Sequence, residues 1–229
     1  MRNFTFITSF LTVLLMGFLS ASTQAQTGVL NPDDPIVVYD PAHPPATPSY
    51  GTLAKWVKTN RLGFNTESFK AYYYKGMAFR LKFPKSYKDS INTGKKYPLF
   101  IFFHGIGEKG TIYDNEYQLY HGGQLFRDAV DNGKFDGFLL YPQTTSSSGA
   151  FNSSQYAVVN ELINNYLVPQ VKVDINRVIV DGLSGGGSST WHMLNDYPKL
   201  VAAALPISAA SVSFGDAGYV NSGKFTPIW

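Results

Sequence analysis

The chain has 229 residues, 44% hydrophobic and 15% charged, with a formal net charge of +3 and no cysteine. That is ample apolar material for one well-filled domain and excludes an intrinsically disordered polymer. It also excludes thiol catalysis and a disulfide framework, and the lack of a basic run leaves no footprint for nucleic acid or an anionic membrane surface.

Residues 1–25 read as a secretory leader. Arg2 gives a positive start, Phe6 to Leu19 form an apolar stretch, and Thr23-Gln24-Ala25 offers small residues before a mature start at Gln26. The apolar stretch, interrupted by Thr8, Ser9 and Thr12, is short for a span of about 20 residues, so cleavage is expected rather than a stable membrane anchor. Export without disulfides suits a bacterial protein, periplasmic or extracellular. Residues 26–49 form a proline-rich lead (Pro32, Pro35, Pro41, Pro44, Pro45, Pro48), too proline-dense for helix or central strand and therefore a linker or a strap. Residues 50–229 are read as one domain. Its opening stretch to residue 75 gives no clear periodicity, although Trp56, Phe64 and Tyr72-Tyr73-Tyr74 suggest packing.

From there the elements alternate. Met77 to Phe83 alternates apolar and polar side chains, as a strand with one exposed face does, and Pro84 ends it. Tyr97 to Phe103 is a continuous apolar run, the pattern of a strand buried on both faces. Gly122 to Asn132 reads as a helix with Leu125, Phe126, Ala129 and Val130 on its apolar face, stopped at Asn132-Gly133. Phe138 to Tyr141 is the next strand, closed by Pro142. Ser154 to Val168 is a helix stopped at Pro169. Arg177 to Val180 and Ala202 to Ile207 are strands flanking a helix over Ser188 to Asp196. Strands alternating with helices of this length predict a three-layer α/β domain around a mostly parallel sheet.

Chemistry concentrates at Gly182-Leu183-Ser184-Gly185-Gly186, a G-x-S-x-G sequence between a strand and a helix. In that context the flanking glycines permit a strained turn that pushes the serine hydroxyl out at the sheet's carboxyl edge. A serine hydroxyl needs a base to take its proton during attack. In this kind of triad an acid and then a histidine follow the serine. Only His192 follows Ser184, and eight residues of helix carry it about 12 Å along the axis, out of reach. Lys224 to Trp229 reads as the opening of one more buried strand, so the chain is expected to stop before its base. Asp216 is a loop residue on this reading, with an alternatively placed triad acid as the competing role.

Gly105-Ile106-Gly107-Glu108-Lys109-Gly110 also fits the dinucleotide pattern G-x-G-x-x-G. Residues 111–115 open no helix to hold a pyrophosphate, and no acidic residue ends a second strand about 20 residues on. No nucleotide cofactor is therefore expected. His43, His104, His121 and His192 are scattered without metal-ligand spacing, so no metal is expected either. The 17 Phe, 15 Tyr and 3 Trp are read mainly as packing, with a sugar-stacking or lipid-facing surface as the alternative.

Several of these segments together resemble the α/β-hydrolase superfamily, in its esterase, polyester-depolymerase and predicted-peptidase branch. The resemblance rests on His104-Gly105-Ile106-Gly107-Glu108 after a buried strand, Val173-Asp174-Ile175-Asn176-Arg177 before the elbow strand, Gly182 to Gly186, Tyr197-Pro198, and Pro206-Ile207-Ser208. It implies a three-layer α/β-hydrolase lacking its last strands and helices, and a serine carboxylic-ester hydrolase working through an acyl-enzyme on Ser184. The oxyanion donors it implies are the amides of Gly185 and of Gly105 or Ile106, with His104 shaping the loop and Glu108 either bracing it or standing exposed. The implied substrate is a small-molecule or polysaccharide-linked ester. A serine peptidase of the same fold and a non-catalytic carbohydrate-binding protein remain the alternatives. Two departures stand out: Gly186-Gly187-Ser188 carries an extra small residue, and the family's acid and histidine belong beyond the strand begun at Thr226. Without them the chain is expected to be inactive.

Overall fold

The computed structural model describes residues 28–210 and 217–229. The leader read at residues 1–25 and the loop residue Asp216 lie outside the described residues. A seven-stranded sheet runs in the order β1-β2-β3-β5-β4-β6-β7. β1 (Ala54–Lys55), β2 (Phe69–Tyr74) and β3 (Met77–Lys82) form an antiparallel meander, and β3 pairs antiparallel with β5 (Phe138–Pro142). β4 (Tyr97–Phe103), β5, β6 (Val173–Leu183) and β7 (Val201–Ile207) are mutually parallel. Each parallel step needs a crossover. It is supplied by α1 (Gly123–Asp131) between β4 and β5, α2 (Ser153–Leu162) before β6, and α4 (Gly185–Asp196) between β6 and β7. A short α3 (Val168–Val171) follows α2, and α5 (Ala217–Gly223) follows β7.

The apolar run of β4 is buried because the sheet is covered on both sides. Tyr97, Leu99, Ile101 and Phe103 pack with Tyr156, Val159 and Leu162 of α2 and Met193 of α4. Phe100 and Phe102 pack on the opposite face with Phe126 and Val130 of α1. This is the three-layer arrangement the alternating elements require, and burial of each large side chain supplies roughly 1.5–3 kcal/mol.

The predicted exposed face of Met77 to Phe83 does not exist. β3 lies inside the sheet between β2 and β5, and all six of its residues are buried. Its polar side chains are neutralised in place. Arg80 Nε donates to Asn115 O (2.9 Å) and Nη1 to Phe69 O (3.2 Å), with Glu116 Oε1 3.9 Å from Nη2. Lys82 Nζ donates to Asp131 Oδ1 at 2.6 Å. Glu116 also accepts from Lys58 Nζ (2.9 Å), Thr66 Oγ1 and the Arg61 amide, so one carboxylate serves both buried cations, Lys58 and Arg80. Alternation in a sequence thus marks two faces, but not which of them meets water. Leu125, placed on the apolar face of α1, is likewise 69% exposed.

The proline reading also needs correcting. Pro169 does not stop the helix. Between Leu162 and Val168 the backbone runs through a π-helical segment, Ile163–Leu167, and α3 begins with Pro169 in its first turn. The wider turn relieves the clash and the missing amide that a proline imposes on a regular helix. The start of α2 is built as the sequence directs: Asn152 Oδ1 accepts from the Gln155 amide (3.2 Å) while Gln155 Oε1 accepts from the Asn152 amide (3.2 Å). Asn152→Ala is expected to lower stability by about 1 kcal/mol in denaturant titration.

The proline-rich lead is laid along the domain. Leu30 is fully buried, Asp34 accepts from Tyr72 Oη (2.8 Å), and Tyr39 stacks on Tyr113 with centroids 4.9 Å apart. At the other end Ile228 forms a single parallel bridge to Ala204 beside β7, and Phe225 and Trp229 are exposed, so the segment read as a buried strand is neither buried nor a full strand among the described residues.

Candidate active site

The site is assembled where β4, β6 and β7 end. Ser184 joins β6 directly to α4 with φ 57° and ψ −114°, a left-handed conformation that costs a non-glycine residue on the order of 1–3 kcal/mol. Its amide donates to Ile207 O (2.9 Å) and its carbonyl accepts from the Ser188 amide (3.1 Å), so neighbouring strand and helix hold the strained turn. The flanking glycines are needed for close approach. A Cβ on Gly186 would sit 1.9 Å from Phe103 O, and one on Gly187 would sit 2.5 Å from Ile207 O. The small-residue run of the sequence therefore lets α4 rest directly on the backbones of β4 and β7.

Beside the elbow runs the loop after β4. Ile106 packs against Gly185: a Cβ on Gly185 would lie 3.0 Å from Ile106 Cγ1 and 3.6 Å from Ile106 N. The Gly185 amide is in the first turn of α4, where no intrahelical acceptor exists. Both loop positions singled out lie at the elbow, Ile106 beside Gly185 and Gly105 beside Leu183 and Ser184. A Cβ on Gly105 would lie 2.8 Å from Glu108 Oε2, 3.3 Å from Leu183 O and 3.7 Å from Ser184 Cβ. Glu108 is buried, and its Oε1 stands 3.3 Å from Nε2 of His121. It is the bracing carboxylate, not the exposed one.

His104 is fully buried behind the loop. Nδ1 donates to Gly105 O (2.7 Å), and Nε2 accepts from the Thr144 amide (3.2 Å) and from Gln143 Nε2 (3.0 Å). Both ring nitrogens are used, and burial holds the imidazole down to about 4, so the ring is neutral near pH 7. Gln143 Nε2 also donates to Glu108 O (3.1 Å), and Gly149 closes on Ile106. The loop after β5 therefore backs the loop after β4. Sequence reading missed Gln143 and Thr144, which carry no motif and act through contacts distant in the chain.

Among the described residues no histidine is hydrogen-bonded to Ser184 Oγ. His43 is exposed and pairs with Asp40, His121 pairs with Glu108, and His192 stacks on Tyr156 at 5.7 Å. Among the described residues no group of three or more His, Asp or Glu converges as a metal site, and no helix is long and apolar enough to cross a membrane.

One buried acid lies under the elbow. Asp181 of β6 is 1% exposed, its Oδ1 accepts from the Gly182 amide (2.6 Å), and desolvation raises its pKa from 3.8 to about 6. A raised carboxyl favours the folded state fully below pH 3.8 and loses that contribution as pH rises through 6. Asp181→Asn is therefore expected to stabilise the fold at pH 8 by on the order of 1 kcal/mol or more, with the difference vanishing below about pH 4. Melting curves for both proteins across that range check it.

No protein-family profile and no curated protein matches the chain. Solved structures do. The fold is similar to the crystal structure of a thermostable esterase, at 30% identity and a TM-score of 0.59, over 71% of this chain and 45% of that one. It is also similar to an S-formylglutathione hydrolase from Staphylococcus aureus (16% identity, TM-score 0.45, 77% of this chain and 66% of that one). A third similarity is to an acetyl xylan esterase from Aspergillus awamori (20%, 0.40, 56% and 45%). The chain thus spans less than half the length of the thermostable esterase.

Proposed function

Since the chain carries the α/β-hydrolase fold, we propose that it is the Ser184-bearing part of a serine hydrolase acting on carboxylic esters. The observation that carries this reading is the strained Ser184 at the β6–α4 junction, with the Gly185 and Ile106 backbones side by side next to it.

On this reading Ser184 Oγ attacks the acyl carbon and its proton passes to a base. The tetrahedral oxyanion is held by the Gly185 and Ile106 amides, each such donor contributing about 3–4 kcal/mol. Collapse breaks the bond to the alcohol oxygen, which takes the proton, and water then releases the acid from the acyl-enzyme. His104 is not that base, because both of its ring nitrogens are engaged within the loop. Amide substrates require protonation of a poorer leaving group, so esters are the simpler assignment. The leader read at residues 1–25 supports export, and cell fractionation tests it.

The deciding experiment is labelling with a fluorophosphonate followed by intact-protein mass measurement, on the full-length folded protein with its base and on the same protein carrying Ser184→Ala. A single adduct confined to the wild type supports the proposal.

A further inference from the structure

We infer that the groove between the β2–β3 turn and the loop after β5 is a binding site for a neutral oligosaccharide. The groove encloses about 440 Å³, room for one or two sugar rings, and its walls include Tyr50, Lys75, Thr145, Ser147, Asn152 and Gln155. It lies along the sheet's carboxyl edge, where ligands of open α/β sheets bind, because the Lys75-Gly76 turn leads into β3 beside the end of β5.

Three features select the ligand. First, the groove carries no net charge for an anion or a cation to use: among the described residues Lys75 is the one ionic side chain lining it, and its Nζ is bonded to Glu161. Second, the capping box of α2 consumes the carbonyl oxygens of Asn152 and Gln155, leaving their amide NH₂ groups as donors. Asn152 Oδ1 accepts from Ser154 Oγ (2.6 Å) and the Gln155 amide, and Gln155 Oε1 accepts from Thr144 Oγ1 (3.0 Å) and the Asn152 amide. With the hydroxyls of Thr145 and Ser147 they offer both donors and acceptors, which suits adjacent sugar hydroxyls. Third, Tyr50 stands at the rim 78% exposed with Lys75 Nζ 5.6 Å from its ring centroid, an aromatic side chain whose open face is of the kind that stacks on the C–H face of a pyranose.

Thr145, Ser146 and Ser147 of the groove belong to the loop after β5, which backs the loop after β4 through Gly149 against Ile106, Lys109 Nζ to Ser147 O (2.6 Å) and the Gly110 amide to Thr144 O (3.3 Å). The inference goes beyond the hydrolase reading and does not require it, since binding needs no base and no nucleophile.

The test is calorimetric titration of the chain carrying Ser184→Ala with xylohexaose, cellohexaose and mannohexaose. Saturable binding of at least one hexaose is expected, weakened at least about tenfold by Tyr50→Ala and by Thr145→Val but retained by Tyr50→Phe. No binding of any of the three at millimolar concentration to a chain with an intact melting transition overturns the inference. So does binding that survives Tyr50→Ala. Fluorophosphonate labelling of Ser184 is scored separately, so either reading can fail alone.

Discussion

Gly186→Ala is expected to be the most disruptive single-methyl change in this fold, lowering stability by at least about 3 kcal/mol. The added Cβ would lie 1.9 Å from Phe103 O, 2.6 Å from Phe103 C and 2.8 Å from His104 O. All three are backbone atoms, and no side chain can rotate away to make room. Relief requires α4 to lift off β4, which would open the elbow and pull Ile207 O from the Ser184 amide. For a domain of this size the change corresponds to a fall in melting temperature of roughly 6–12 °C. Gly63→Ala is the control, because a Cβ there meets nothing within 4 Å and the backbone is not left-handed. Equal melting temperatures for the two variants would show that the close approach is not what the glycine serves.

In the protein that carries its base, Ser184→Ala is expected to abolish fluorophosphonate labelling and to lower ester hydrolysis by at least about a thousandfold, with the fold retained. The oxygen is the only atom removed. Among the described residues Ser184 Oγ has no hydrogen-bond partner, so no structural bond is lost. Alanine keeps the strained φ of 57°, whereas glycine relaxes it; Ser184→Gly should therefore melt higher than Ser184→Ala while being equally unlabelled. An adduct persisting on Ser184→Ala, or a folded wild type that carries its base and takes no adduct, would remove Ser184 from the chemistry.

Strong local patterns are legible in the order of the residues alone. The apolar run Tyr97 to Phe103 can be a strand only if covered on both faces, and β4 is. The glycines around Ser184 announce a turn too tight for side chains, and it is built that way. Where sequence reading fails, a distant segment changes the outcome. Arg80 and Lys82 alternate with apolar neighbours as if facing water, yet β3 is an interior strand whose polar side is closed by Asn115, Glu116 and Asp131. Pro169 should end a helix, but a π-helical turn before it absorbs the fault.

The sequence by itself determined the alternation of strands and helices, the elbow at Ser184 and the absence of thiol chemistry. These depend on residues within a few positions of one another, and on backbone sterics that act locally. Only the tertiary structure decided that Ile106 packs against Gly185, that Glu108 holds His121, and that the loop after β5 backs the loop after β4. Those contacts join segments far apart in the chain. Their partners are selected by packing and by the cost of leaving buried polar groups unpaired, which no local pattern encodes.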